Sequence, residues 1–216
     1  MARPALSDAN RAQRRRHLLD TADRLFRTRG ELPLVADIAN AAGLAKGTVY
    51  LYFQTKEEIF IALLEDHFQA LYGAMFDLLP TLPAPGDAAA QAFATAWCQM
   101  IRQDPALLQL AVLVNTVLEK NLPIEPMLRF KTDLANGITQ AGALLAHRLP
   151  PSIEHAGAAL LLQTYGLTIG LWQALDHPPA LTALIAQDPA LTILARDFHA
   201  ELAQAVERLW CAALAP

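Results

Sequence analysis

Cysteine is scarce: the 216 residues hold two, Cys98 and Cys211, far apart and outside any CxxC or Cys/His spacing. This excludes a disulfide framework and a structural zinc cluster and leaves both as reduced core or interface thiols. Also missing are HExxH, a Ser/His/Asp spacing and a glycine-rich phosphate loop after a strand, and the six histidines (His17, His67, His147, His155, His177, His199) are scattered. No enzyme, metal site or cofactor is expected from these patterns. No apolar segment marks a secretory signal in the first thirty residues, so the cytoplasm is the expected location. Aromatics are few (7%), charge is low (18%), and Ala and Leu dominate with few β-branched runs. Helix is favoured throughout, and the expected fold class is all-α.

One uncharged run, AGAALLLQTYGLTIGLWQAL at 156–175, is about as long as a bilayer requires. It carries Gln163, Thr164, Thr168, Gln173 and three glycines, and no basic cluster flanks it. The expectation is no membrane span but a helix covered by protein on all sides.

The net charge of −4 is unevenly spread, because residues 1–56 hold ten Lys and Arg against five Asp and Glu, a surplus of +5 that leaves −9 for the rest. A positive head on an acidic remainder points to a polyanionic partner for the head alone.

Periodicity places a helix over 9–29 with Leu18, Leu19, Ala22, Leu25 and Phe26 as its stripe, stopped by Gly30. A short helix follows at 34–42, then Gly43, then a two-turn helix over 45–53. Thr55 and Glu58 form a capping box for a long fourth helix that runs to Pro80, and PTLPAPGD at 80–87 is a linker. Further helices are expected at 87–103, 105–120, 124–148, 152–175 and 188–214, with breaks at Asp104-Pro105, Leu122-Pro123, Pro150-Pro151 and 177–179, and a short extra helix at 180–187.

The pair 34–42 and 45–53 has the spacing of a helix-turn-helix. In the second helix Lys46, Gly47, Thr48, Tyr50 and Tyr52 are small or hydrogen-bonding, while Val49 and Phe53 face the core. Such an outward face suits entry into a major groove, with Lys56 at the next helix start suited to a phosphate. Arg14, Arg15 and Arg16 either add to this or form a solvated face.

The segment RRRHLLDTADRLFRTRGELPLVADIANAAGLAKGTVYLYFQTKEEIF, residues 14–60, resembles the DNA-binding segment of the TetR family of transcriptional regulators. The resemblance implies an N-terminal three-helix DNA-binding domain (1–54) joined through the fourth helix to a helical ligand-binding and dimerisation domain (55–216). It implies a homodimer on a palindromic double-stranded operator, most commonly a repressor, released by a small effector that tilts the fourth helix. By position, the groove-facing residues are Ala45, Lys46, Gly47, Thr48, Tyr50, Leu51 and Tyr52, with Lys56 on a phosphate. Two departures stand out: Pro33-Leu34 occupies the place of the family's hydroxyl pair, in a loop one residue shorter, and Ala45 that of a serine. With about four phosphates neutralised per subunit, log K falls against log salt with a slope of roughly −7.

For the remainder, the implied dimer bundle uses the last two long helices, with Gly166 and Gly170 permitting close approach and Leu191, Leu194, Phe198, Leu202, Val206, Leu209 and Trp210 as the matching stripe. Phe93, Trp97, Met100, Met127, Phe130, Tyr165, Thr168 and Trp172 are either core or the wall of a pocket for a hydrophobic, weakly polar compound. Asn115, His147 and His155 are candidate polar anchors. The competing reading is a helical scaffold or apolar-ligand carrier without DNA function, which leaves the Lys46 to Lys56 chemistry unexplained.

Overall fold

The computed structural model describes residues 8–146 and 156–214. His147, His155, the Pro150-Pro151 break and Arg3 lie outside them, as does the side chain of Asn115. Among the described residues there are helices and turns and no strand. The helices are α1 (Asp8–Arg29), α2 (Val35–Ala41), α3 (Lys46–Val49), α4 (Lys56–Leu78), α5 (Asp87–Gln103), α6 (Pro105–Leu113), α7 (Glu119–Asn121), α8 (Ile124–Ala146), α9 (Ala156–Leu175), α10 (Pro179–Ile185) and α11 (Phe198–Leu214). They fall into two compact units: one comprises the residues up to Asp66 with Leu113–Phe130, the other His67–Val112 with the residues from Lys131 on. The first unit thus passes residue 54 and takes in a segment from the middle of the chain.

In the first unit the apolar stripe of α1 packs on the following helices, with Leu18, Leu19, Ala22, Phe26, Ile38, Val49, Ile59 and Phe60 all essentially buried. Phe26 and Phe60 meet with centroids 6.3 Å apart. Helix α1 ends where Gly30 adopts φ 70°, a left-handed conformation that costs glycine nothing, and the Gly30 N–H reaches the Phe26 carbonyl at 2.8 Å. Gly43 (φ 66°) turns the chain between α2 and α3 in the same way. Arg29 is tied to Asp37 at 2.5 Å, bridging the end of α1 to α2.

In the second unit α11 packs against α5 and α9. Phe93, Trp97, Leu160, Leu161, Leu202, Val206 and Trp210 are buried there. Two indoles are satisfied by threonines of α9: Trp97 Nε1 donates to Thr168 Oγ1 and Trp210 Nε1 to Thr164 Oγ1, each at 3.0 Å. Each threonine hydroxyl in turn donates one turn back, to Leu160 O (2.8 Å) and Thr164 O (2.7 Å), so no buried polar atom of this set is left without a partner. Helices α8 and α9 touch backbone to backbone: a Cβ on Gly142 would overlap the backbone nitrogen of Ala158, and one on Gly157 the carbonyl oxygen of Gly142. Tyr72 lies over Gly137, and its hydroxyl donates to Leu134 O at 3.1 Å.

Three expectations are corrected. The single helix expected at 105–120 is α6 followed by a π-helical turn, Val114–Leu118, and α7. The C-terminal helix expected at 188–214 is a 3₁₀ turn (Pro189–Leu194) and α11, because Asp188 accepts from Ala190 N and Asp197 from Ala200 N, both at 2.8 Å, and each acts as a local N-terminal cap. The two-turn helix at 45–53 is a single α-helical turn, α3, continued by turns in which Leu51 N–H bonds Thr48 O and Tyr52 N–H bonds Val49 O. Finally, although α9 is almost uniformly apolar, no helix among the described residues is long and apolar enough to cross a membrane.

Candidate nucleic-acid interface

Val49 and Phe53 anchor the second half of the helix-turn-helix, 0% and 3% exposed. Their burial turns the intervening residues outward. Ala45, Lys46, Gly47, Tyr50 and Leu51 are exposed, and Thr48 and Tyr52 half-buried. Leu51 is 68% exposed, an apolar side chain that its own fold leaves uncovered. A Cβ added to Gly47 meets nothing within 4 Å, so the missing side chain clears space outside the protein rather than within it.

The start of α4 supplies the second part. Thr55 Oγ1 accepts from Glu58 N at 3.2 Å, and Glu58 Oε2 accepts from Gln54 N at 2.7 Å, a capping box whose return bond reaches one residue further back than expected. Lys56 Nζ lies 3.9 Å from Glu57 Oε1, a loose pairing, and the lysine side chain is 40% exposed. Lys46, Tyr50, Gln54 and Lys56, together with Leu34, line one open groove of about 430 Å³. The structure thus brings Lys46, Tyr50 and Lys56 to a single concave surface. The helix starts beside it lack side-chain caps: Leu34 precedes α2 and Ala45 precedes α3, both extended and neither with a side chain that accepts from the helix. Their first N–H groups are donors for an external anion, where a serine or threonine would have satisfied one internally. Pro33 precedes the cap of α2.

The arginine run separates by role. Arg16 bonds Asp20 at 2.7 Å and Asp66 at 2.6 Å, and these carboxylates raise its pKa further. Arg15 stacks 5.0 Å over the Phe53 ring. Arg14 remains exposed near Asn10, Gln13 and His17, where His17 Nε2 lies 3.3 Å from Ala42 O. Arg27 and Arg29 hold Asp23 and Asp37. Arg16, Arg27 and Arg29 are therefore paired internally, and the charge facing outward is that of Lys46, Arg11, Arg14 and Arg24, with Lys56 partly exposed. Beyond the residues expected from the sequence there is a second cleft, of about 370 Å³, lined by Tyr50, Tyr52 and Gln54 together with Arg11, Pro123 and Arg129. No local signal in 123–129 marks this proximity, which arises from tertiary packing.

The eight residues named for a ligand pocket are divided between the two units. Phe93, Trp97 and Thr168 are a filled core, with Phe93 stacked on Trp210 at 3.5 Å and on Trp97 at 5.9 Å. Met127 and Phe130 are buried in the first unit. Tyr165 meets Phe68 edge-on at 5.7 Å, Trp172 meets Phe198 edge-on at 5.0 Å, and Met100 lines a groove, of about 130 Å³, with His67, Leu71, Asp104 and Leu107. His67 Nδ1 and Asp104 Oδ2 are 2.5 Å apart in that groove.

Of the residues named for a subunit interface, Leu202, Val206 and Trp210 are 0% exposed and Phe198 8%, so that stripe belongs to the protomer's own core. Leu191 and Leu194 sit half-buried on the 3₁₀ turn, and Leu209 is half-buried on α11. Gly166 and Gly170 face open space, on an exposed face of α9 shared with Ala159, Leu162, Gln163, Gln173 and Ala174.

Comparison with known proteins agrees with this architecture. Residues 18–63 match the family described as bacterial regulatory proteins, tetR family, and residues 65–212 match the Tetracyclin repressor-like, C-terminal domain. The HTH-type transcriptional repressor KstR2 of Mycolicibacterium smegmatis is 36% identical over 75 residues, covering 34% of this chain and 37% of that protein, and KstR2 of Rhodococcus jostii is 38% identical over 71 residues, 32% and 35%. The chain thus aligns with little more than a third of those relatives. Among solved structures, FadR from Bacillus subtilis in complex with stearoyl-CoA superposes with a TM-score of 0.54 at 18% identity over 92% of this chain and 98% of that one. The fatty acid degradation regulator FadR from Bacillus halodurans gives 0.57 at 16% over 94% and 96%. At such identities the likeness is one of fold, but the two matched segments together cover most of the chain, head and remainder in order. The chain belongs to the TetR family of transcriptional regulators.

Proposed function

We propose that the protein is a ligand-responsive repressor that binds a palindromic operator as a homodimer and releases it on binding a small, mainly hydrophobic effector. The observation that carries this reading is the groove in which Lys46, Tyr50 and Lys56 converge beside uncapped helix starts, with Gly47 and Leu51 exposed between them. Lysines and free N–H groups bind phosphates, whereas Gly47, Thr48 and Leu51 permit close approach to base edges, Leu51 having the character that suits a thymine methyl.

Homodimerisation is supported by the α9 face. Gly166 and Gly170 lie in a helix interior, where glycine costs roughly 0.5–1 kcal/mol relative to alanine, and nothing in their own chain uses the space they leave. A second helix approaching closely does use it. Two heads on one dimer then read two half-sites, which a single turn of helix does not discriminate well alone.

The effector reading rests on the second unit, whose interior is apolar and aromatic. The FadR structure holds stearoyl-CoA, which makes long-chain acyl thioesters the first compounds to try. An effector acts only through different affinities for the DNA-bound and released conformations. The test is a mobility-shift titration on DNA upstream of the protein's own gene, with and without stearoyl-CoA. Salt-sensitive binding to a palindrome, weakened by the thioester, supports the proposal. Absence of binding at low salt overturns it in favour of a scaffold.

A further inference from the structure

Residues 50–54 line one cleft together with Pro123, Glu125 and Pro126 and with two arginines, Arg11 and Arg129. Resting on the DNA-binding reading of the head, we infer that Arg129, together with Arg11, holds a phosphate of the operator backbone beside the reading helix, so that the DNA-contacting surface includes a residue of α8. Neither arginine lies in the segment 18–63 that matches the family's N-terminal domain.

The other arginines of this unit supply the contrast. Arg16, Arg27 and Arg29 each have a carboxylate within hydrogen-bonding distance, the arrangement of a structural arginine. Arg11 and Arg129 are exposed and make no ion pair among the described residues. Both line the same cleft as Tyr50, Leu51, Tyr52 and Gln54, and Tyr50 and Gln54 also line the Lys46–Lys56 groove, so the two concavities share two residues. Two carboxylates line the cleft as well. Glu58 is already engaged as acceptor of the Gln54 N–H at 2.7 Å. Glu125 is the remaining acidic group, and it opposes an anion. A planar guanidinium with paired donors suits a phosphodiester, and the tyrosine hydroxyls offer further donors. Five lining residues, Tyr50 to Gln54, come from the turn that follows the reading helix, which favours the DNA backbone over the anionic group of a small effector.

The test measures binding of the full-length protein to an operator duplex and to an unrelated duplex by fluorescence anisotropy, across salt. Arg129→Gln is expected to lower the slope of log K against log salt by about 0.9 per subunit bound and to weaken both duplexes alike, roughly fivefold per contact at 0.15 M salt. Arg129→Lys keeps most of the slope, and Glu125→Gln tightens binding. Thermal melts monitor folding, and the lysine variant keeps the experiment decisive should the glutamine variant misfold. An unchanged slope in a folded Arg129→Gln protein overturns the inference while leaving the DNA-binding reading intact. An unchanged slope with a lost response to stearoyl-CoA overturns it in favour of an effector site. Wild-type protein that binds neither duplex overturns the underlying reading and this inference with it.

Discussion

The ring of Phe93 on α5 lies flat against that of Trp210 on α11, centroids 3.5 Å apart and planes inclined by 14°. Both side chains are fully buried, and Trp210 is further fixed through its Nε1 to Thr164. This stack locks the last helix to the second unit and removes Trp210 from any surface.

Trp210→Ala is therefore expected to destabilise the subunit by about 3–5 kcal/mol, the range for emptying a large buried aromatic site. Urea unfolding followed by circular dichroism checks it. A loss of dimer affinity with unchanged unfolding would return Trp210 to an interface.

Two kinds of helix glycine separate in the same assay. Gly142→Ala drives a Cβ into the Ala158 backbone nitrogen, a clash that only helix separation relieves, and is expected to destabilise by about 1–3 kcal/mol. Gly166→Ala meets nothing within the chain and leaves the subunit fold as stable or slightly more so, while weakening a dimer built on that face. Sedimentation velocity at micromolar concentration reads the second effect; a Gly166→Ala dimer as tight as wild type counts against the α9 interface.

On the head, Lys56→Ala and Tyr50→Ala are expected to lower operator affinity about tenfold or more, with melting temperatures within a degree or two of wild type, since both side chains are partly solvent-exposed and outside the core. Gly47→Ala behaves likewise, its methyl group blocking DNA and not the fold. Equal losses of stability and binding would mark these residues as structural.

Alkaline pH supplies a separate readout. Burial pushes the Tyr165 hydroxyl up to about 12, from an ordinary value of 10. The folded state therefore keeps its proton while the unfolded chain loses it. Tyr165 contributes fully below pH 10, and its contribution is lost as pH rises towards 12, on the order of 2 kcal/mol. Tyr165→Phe flattens that decline in denaturant melts between pH 9 and 12, whereas an unchanged pH profile shows that other groups set it.

The legible parts of the sequence are those with short-range causes. Gly30 and Gly43 mark helix ends because their positive φ is a local demand, and the Thr55/Glu58 box announces α4 because both hydrogen bonds close within four residues. The alternation of Val49 and Phe53 with Lys46, Tyr50 and Tyr52 tells core from surface in the head for the same reason. The neighbours of the apolar faces have a different cause. The α11 stripe is a sound apolar face, but spacing does not say whether the element covering it belongs to the same chain or to a partner; α5 and α9 cover it here. Likewise Phe93, Trp97 and Thr168 have the composition of a pocket wall, and the Trp210 ring closes the space.

By itself, then, the sequence determined an all-helical chain with a positive, groove-fitting head, because helix propensity, capping and charge act over a few residues. Which apolar faces meet, that Arg129 shares a cleft with Tyr50 and Tyr52, and that Gly142 rather than Gly166 lies at a close helix contact within the chain were decided by tertiary packing alone. Hydrophobic attraction is non-directional, and only the fit of particular side chains selects one partner for each face.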